Sequence, residues 1–141
     1  MAPHWLREFE NRIDGLRDDA FLYNIRPKAT DVEATKHGAV LILLHDGVSG
    51  PEVLITLRSE GLRAHSGQPS FPGGALEESE SARDAALRES SEEVGLVRES
   101  VDVLAELPQL FIPPSNFHDT PILGFWREPH PLTPERSEEV V

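Results

Sequence analysis

The 141-residue chain contains no cysteine. Disulfide cross-links, thiolate nucleophiles and Cys-ligated zinc or iron–sulfur centres are therefore excluded, and the composition suits a reducing cytosol. Basic residues are scarce, with 13 Lys plus Arg against 25 Asp plus Glu and a formal net charge of −12. Such a surface has no general attraction for nucleic acid or anionic lipid, so an anionic substrate needs metal ions or a local arginine cluster to be held. Long apolar runs are missing too. The longest, about Gly38 to Leu44, falls far short of the ~20 residues of a membrane span. The N-terminal stretch carries Glu8, Glu10, Asp14, Asp18 and Asp19 in place of the basic-then-apolar pattern of a secretion signal. No G-K-[ST] follows Gly73-Gly74, no G-x-S-x-G occurs, and the six histidines show no H-E-x-x-H spacing. A P-loop, a nucleophile elbow and a zinc hydrolase site are set aside accordingly. A content of 38% hydrophobic and 27% charged residues predicts one soluble, cytoplasmic globular domain with no nucleic-acid or membrane partner.

Residues 3–17 begin with Pro3 and space Trp5, Leu6, Phe9 and Ile13 as an amphipathic helix. Such helices pack on their own domain more often than on a partner. This helix and the polar arm that follows it, residues 1–36 together, are expected to lie against a domain formed by residues 37–141. His37 to His45 reads as a buried strand, Asp46-Gly47 as a turn and Glu52 to Leu57 as the returning strand of a hairpin. Residues 58–70 form a polar loop leading to Phe71-Pro72-Gly73-Gly74, where two glycines permit close backbone approach. A helix runs from Ser79 or Ser81 to about Val94, with Ser81 and Asp84 as a capping-box variant and Gly95 at the C-cap position. Val101 to Leu107 and Leu110 to Ile112 read as strand pieces broken by Pro108, and Pro121 to Trp126 as another strand. The final Glu138-Glu139-Val140-Val141 begins a further one, and no internal repeat is present.

The helix carries the chemistry. At about 100° per residue, Glu89, Glu92 and Glu93 share one face, and Ala82, Ala85 and Ala86 project from that face one and two turns earlier. A solvated acidic face has no reason to be aligned with three alanines, whereas small residues let a helix approach something closely. Crowded carboxylates repel one another unless cations neutralise them. Oxygen-only ligands of this kind suit Mg²⁺ or Mn²⁺, which bind through a few carboxylates plus substrate phosphates. Arg88, beside this arc, can hold one carboxylate in a fixed rotamer. The competing interpretation is an ordinary Glu-rich solvated helix.

The wider spacing favours the metal site. From Gly74 the chain runs through five residues to Glu80, seven more to Arg88-Glu89, then Ser90, Ser91, Glu92-Glu93, Val94, Gly95 and Leu96. This resembles the Nudix box, G-x5-E-x7-R-E-U-x-E-E-x-G-U with U a bulky aliphatic residue. Ser90 is the one departure, at a packing position. The resemblance implies the Nudix fold, an α/β/α sandwich with a central mixed sheet crossed by a loop–helix–loop. It implies Glu89, Glu92 and Glu93 as ligands of Mg²⁺ or Mn²⁺ together with the Gly74 carbonyl, Arg88 as the residue that orients Glu89, and Glu80 as an outer ion-pair or water-mediated partner. The activity it implies is hydrolysis of a nucleoside diphosphate linked to another group.

A second pattern precedes the box. Leu54-Ile55-Thr56-Leu57-Arg58-Ser59, Arg63, Gly67 and Phe71-Pro72-Gly73-Gly74 resemble L-L-T-x-R-S-x3-R-x3-G-x3-F-P-G-G, the mark of the coenzyme A pyrophosphatase branch of the family. Only Ile55 departs from it. The two patterns together span residues 54–96, and the branch cleaves coenzyme A to 3′,5′-ADP and 4′-phosphopantetheine. Arg58 and Arg63 bring two guanidinium forks suited to phosphates, and His65 and Gln68 can bond phosphate or adenine. The lesser alternative for Arg58 and Arg63 is surface ion pairing with Glu60 or the Glu77–Glu80 stretch, and His65 and Gln68 could equally be ordinary loop residues.

The general base is expected C-terminal to the box, at Glu139 in preference to His118-Asp119. Members of the branch usually continue with a strand and a helix beyond the point where this chain ends. An unpaired sheet edge and exposed apolar surface predict association, as a homodimer or as aggregates. Three readings stay open: a hydrolase of coenzyme A or acyl-CoA, a hydrolase of another small nucleotide such as ADP-ribose or a dinucleotide, and a non-catalytic nucleotide-binding domain.

Overall fold

The computed structural model describes residues 2–16, 36–58, 69–112, 117–133 and 138–140. Most of the polar arm and the loop bearing Arg63, His65 and Gln68 lie outside these residues.

Strand β1 (Lys36–Gly47) is the axis of the fold, with Ala39, Leu41 and Leu43 all fully buried. It runs parallel to β8 (Phe117–Trp126) from Lys36↔Phe117 to Leu44↔Phe125. Its other edge pairs antiparallel with β2 (Gly50–Val53) and β5 (Gly73–Ala75). On the far edge of β8 lie β6 (Val101–Glu106) and β7 (Leu110–Ile112), both antiparallel to it. Pro108, which has no N–H for a ladder, falls between those two pieces as its chemistry requires. The result is a mixed sheet in the order β2-β1-β8-β6. β8 starts earlier than the sequence suggests, because His118, Asp119 and Thr120 are paired to β1 and the first two also to β7.

The hairpin differs from expectation in two ways. Its turn is Val48-Ser49, closed by Gly47↔Gly50, so Asp46 and Gly47 remain in the ladder. Gly50, at φ +127, supplies the backbone conformation that an L side chain resists. The returning segment also does not stay in one sheet. Leu54 donates its N–H to the Leu43 carbonyl at 3.0 Å and buries its side chain. The chain then leaves to form β3 (Thr56–Arg58), which joins β4 (Pro69–Ser70) and β9 (Glu138–Val140) in a second, three-stranded sheet. Thr56 is buried there and its hydroxyl donates to the Ser70 carbonyl. The edge of β1 vacated by this departure, at Gly38–Val40, is taken by β5.

Helix α2 (Ala82–Val94) covers one face of the large sheet. The Ser81 hydroxyl accepts the Asp84 N–H at 3.1 Å, and Gly95, left-handed at φ 72, returns its N–H to Ser90 and Ser91. Ala85, Ala86, Leu87 and Val94 join Ala39, Leu41, Leu43, Leu96 and Ile122 in the main core. Ser90 is fully buried yet satisfied, because its hydroxyl donates to the Ala86 carbonyl at 2.7 Å. A polar residue at an aliphatic position is thus accommodated by the helix itself. The opposite face carries Ala105 and Leu123 with Ile42, Leu44, Leu104 and Leu107. Helix α1 (His4–Leu16) meets that side: Leu6 is buried, the Trp5 ring sits edge-on to Phe125 at 6.1 Å, and its Nε1 donates to Asp46 at 2.8 Å. No helix among the described residues is long and apolar enough to cross a membrane.

Leu41 is fully buried between the sheet and α2, whereas Val48 is fully exposed at the hairpin tip. Leu41→Ala should cost about 2–5 kcal/mol in denaturant unfolding and Val48→Ala less than about 0.5 kcal/mol. Equal losses would mean that the core is not centred on β1.

Candidate active site

The site is built where β5 passes under α2. Gly73 stands opposite Val40 and Gly74 opposite Ala39 in the ladder. A Cβ on Gly74 would lie 2.5 Å from the Glu89 carboxyl carbon, so glycine is needed for the carboxylate to rest on the backbone. One helical turn further on, Glu93 reaches the same loop and accepts the Gly73 N–H at 3.2 Å. The double glycine thereby lets Glu89 and Glu93 contact the backbone of consecutive residues. Sequence spacing placed these carboxylates on one face, and the buried alanines on that side explain how the helix comes close enough.

Arg88 organises the remaining acids. Its Nε and Nη2 donate to both oxygens of Glu80 at 2.8 and 3.0 Å, a bidentate pair. Nη1 donates to Glu89 at 3.0 Å and, more loosely, to Glu92 at 3.4 Å. Nη2 also reaches the Ala75 carbonyl at 3.1 Å, and Glu77 stands 3.5 Å away. Arg88 thus bonds Glu89 directly, and Glu80 is its bidentate ion-pair partner. The Glu77 and Ala75 contacts were not foreseen, since loop residues carry no periodic signal.

The electrostatics follow from this cluster. The Glu80 carboxyl, 14% exposed, is lowered to about 2, first by the Arg88 hydrogen bond and then by the Glu77 N–H that it accepts at 2.9 Å. The hydrogen bonds to Glu80 and then Glu89 raise Arg88 further above its ordinary value, so its charge is permanent. Glu77 and Glu80 close a tight turn in which Ser79 is left-handed at φ 63.

The three box carboxylates are not equivalent. Glu89 is 19% exposed while Glu92 is 56% exposed on the outer side of Arg88. Among the described residues no three Asp, Glu or His side chains converge on a common ligating point. Arg88 holds Glu89 and Glu92, and the Gly73 N–H holds Glu93. The donors are all oxygen, two of them resting on a backbone cradle that a Cβ would fill. That chemistry fits a hard divalent cation.

The other candidates are distributed over the fold. Glu139 stands opposite Leu57 in β9, and Arg58 opposite Glu138, so both belong to the small sheet whose strand β4 continues through Phe71-Pro72 into Gly73. Their side chains, like Arg63, His65 and Gln68, lie outside what is described. His118 and Asp119 lie on β8 opposite His37 and Gly38. Gly38 separates Asp119 from Ala75 of β5, which puts their backbones about 10 Å apart at ~4.8 Å per strand. Burial raises the Asp119 carboxyl above its ordinary range.

A mixed sheet crossed on one face by a carboxylate-bearing loop–helix–loop defines an α/β domain. Residues 35–140 match the NUDIX domain family, and the chain belongs to it. Nudix hydrolase 3 of Caenorhabditis elegans is 38% identical over 96 residues, covering 68% of this chain and 40% of that protein. A Pectobacterium atrosepticum protein named uncharacterized Nudix hydrolase NudL is 40% identical over 107 residues, covering 74% and 54%. The chain spans about half the length of these relatives. Among solved structures, the Nudix hydrolase RenU of M. smegmatis superposes with a TM-score of 0.63 at 23% identity, covering 75% of this chain and 70% of that one. A C. elegans Ap4A hydrolase complex gives 0.64 at 18% identity, covering 75% and 79%. These superpositions bear on the fold alone, and they agree with the α/β Nudix architecture expected from the sequence.

Because the Glu80 carboxyl is lowered from 4.5 to about 2, its contribution to stability is complete above pH 4.5 and disappears as the pH falls toward 2. Unfolding midpoints measured between pH 6 and 2 should show the wild type losing its advantage over Glu80→Gln within that window. Parallel curves would remove Glu80 from the acid response.

Proposed function

We propose that this chain hydrolyses the diphosphate of a nucleoside diphosphate derivative, and that its substrate is coenzyme A or an acyl-CoA. The products are 3′,5′-ADP and 4′-phosphopantetheine or its acyl form. The observation that carries the reading is the contact of Glu89 and Glu93 with the Gly73-Gly74 backbone beside Arg88. Glu89, Glu92 and Glu93, with the Gly74 carbonyl, are the groups that would hold Mg²⁺ or Mn²⁺. Such an ion, when bound, neutralises phosphate oxygens and lowers the pKa of the attacking water.

The chain's own residues do the rest. Arg88 fixes Glu89 in one rotamer through a hydrogen bond, and is itself pinned by Glu80. Glu139 is the proposed general base. It takes the proton of the attacking water while the water oxygen bonds to one phosphorus and the bridging P–O bond breaks, leaving phosphate on each product. Glu139 has a backbone position one strand from β3, and β3 is next to β4, which leads into the glycines. Asp119 is likewise two strands removed from β5, and Glu139 is preferred for its place at a Glu-Val entering a strand.

The substrate assignment is supported by the Leu54–Ser59, Arg63, Gly67 and Phe71–Gly74 pattern. Arg58 and Arg63, with His65 and Gln68, are the proposed contacts for the diphosphate, the 3′-phosphate and the adenine. They supply local positive charge on a chain of net charge −12.

A chelator should abolish hydrolysis, and Mg²⁺ or Mn²⁺ should restore it. Glu93→Gln should lower kcat on the order of 100-fold. Gly74→Ala should also impair turnover with little loss of stability, since the displaced group is the mobile end of Glu89. Full activity in Glu93→Gln would remove that residue from the metal site. Dephospho-coenzyme A, which lacks the 3′-phosphate, should show kcat/KM about 10-fold lower, the value of one charged hydrogen bond. Faster hydrolysis of ADP-ribose or a dinucleotide than of coenzyme A, with products resolved by mass, would reassign the substrate.

A further inference from the structure

The segment that follows β8 turns back along residues 97–100, which follow α2, and reaches the last residue of the helix at Thr133. Trp126 Nε1 donates to the Ser100 hydroxyl at 3.1 Å, and Arg127 to the Glu99 carbonyl at 2.8 Å. The Glu128 N–H reaches the Ser100 carbonyl at 3.2 Å, and the Thr133 N–H reaches Val94, the last residue of α2, at 2.8 Å. Between these backbone ties sits one side chain, His130. Its Nε2 accepts the Val97 N–H at 3.0 Å, its Nδ1 lies 2.8 Å from the Pro131 carbonyl, and its ring packs edge-on against Trp126. These partners assign a neutral imidazole with the proton on Nδ1. Leu132 is packed into the main core beside it.

Beyond this strap the chain soon reaches β9. Five residue steps separate Thr133 from Glu138, so the strand must begin within about 18 Å of the anchor on α2. β9 pairs with β3, β3 with β4, and β4 continues through Phe71-Pro72 to Gly73, whose N–H is held by Glu93 of α2. The path is closed: it leaves α2 at Val94 and returns to it at Glu93.

A three-residue strand specifies its own register poorly. A slip of one residue would put Glu138 or Val140, in place of Glu139, opposite Leu57 and reverse the faces of the strand. We propose that the strap Trp126–Thr133 sets the register of β9 and that His130 is a positioning residue for Glu139. The claim about Glu139 rests on its proposed role as general base, whereas the claim about register does not.

The experiment compares His130→Gln, whose amide oxygen can occupy the place of Nε2, with His130→Asn and His130→Ala, which cannot reach it. With coenzyme A and Mg²⁺, the Asn and Ala variants should lose about 10-fold in kcat at a KM within about twofold of wild type, and Gln should keep most activity. On a Glu139→Gln background His130→Asn should add no further loss. Hydrogen exchange provides a readout independent of turnover: amides of the β3–β9 ladder should exchange about 10-fold faster in the Asn variant and at the wild-type rate in Gln. Unchanged exchange in His130→Asn and His130→Ala would overturn the strap. Accelerated exchange with full activity in Glu139→Gln would keep the strap and overturn the base.

Discussion

The site depends on one guanidinium. Arg88 holds Glu80 through two parallel bonds, Glu89 through a third, and a backbone carbonyl of β5 through a fourth. On a strongly acidic chain such a concentration of carboxylates would be self-repelling without a cation fixed among them. Lysine could not replace Arg88, because an ammonium has no planar fork with which to grip Glu80 bidentately and reach Glu89 at the same time. Glu80 in turn is held by the N–H of Glu77, so the turn entering α2 and the acids leaving it form one charge-assisted network.

Close approach is the companion constraint. Ala85, Ala86 and Ser90 are all fully buried and small, which lets α2 lie near the sheet. Gly73 and Gly74 then admit Glu93 and Glu89 to the β5 backbone. Each side of this contact needs the other: larger residues on the helix would lift the carboxylates away, and a Cβ on Gly74 would push Glu89 off its seat. Packing and electrostatics therefore meet at the same few residues, and substitutions there act on both.

The helix, its caps and its acidic face were legible because they are local and periodic. Ser81 and Gly95 cap α2 as their chemistry suggests, and Pro108 divides β6 from β7. The hairpin forms as expected, but its turn falls at Val48-Ser49, because pairing with Pro51 and Gly50 retains Asp46 and Gly47 in the ladder. The split of the returning strand between two sheets was invisible for a related reason. Leu54 and Thr56 are buried in different layers, and an alternation of side chains does not say which sheet receives them. Ser90 departs from the box at a packing position, and its bond to the Ala86 carbonyl, which satisfies the buried hydroxyl, has no counterpart in the spacing pattern.

By itself the sequence determined the chemical inventory. It set which carboxylates share a helical face, which arginine lies beside them, where two glycines permit contact, and that no thiol chemistry is available. These are consequences of composition and of a 3.6-residue period, which depend on near neighbours only. The tertiary structure alone decided which acid pairs with Arg88, that Glu93 turns to Gly73 while Glu92 stays outside, and that β9 returns to β3 beside the box. Those outcomes join residues far apart in the chain. They follow from which edge of β1 was left free and from the limited space beneath α2, and neither is written in any local pattern.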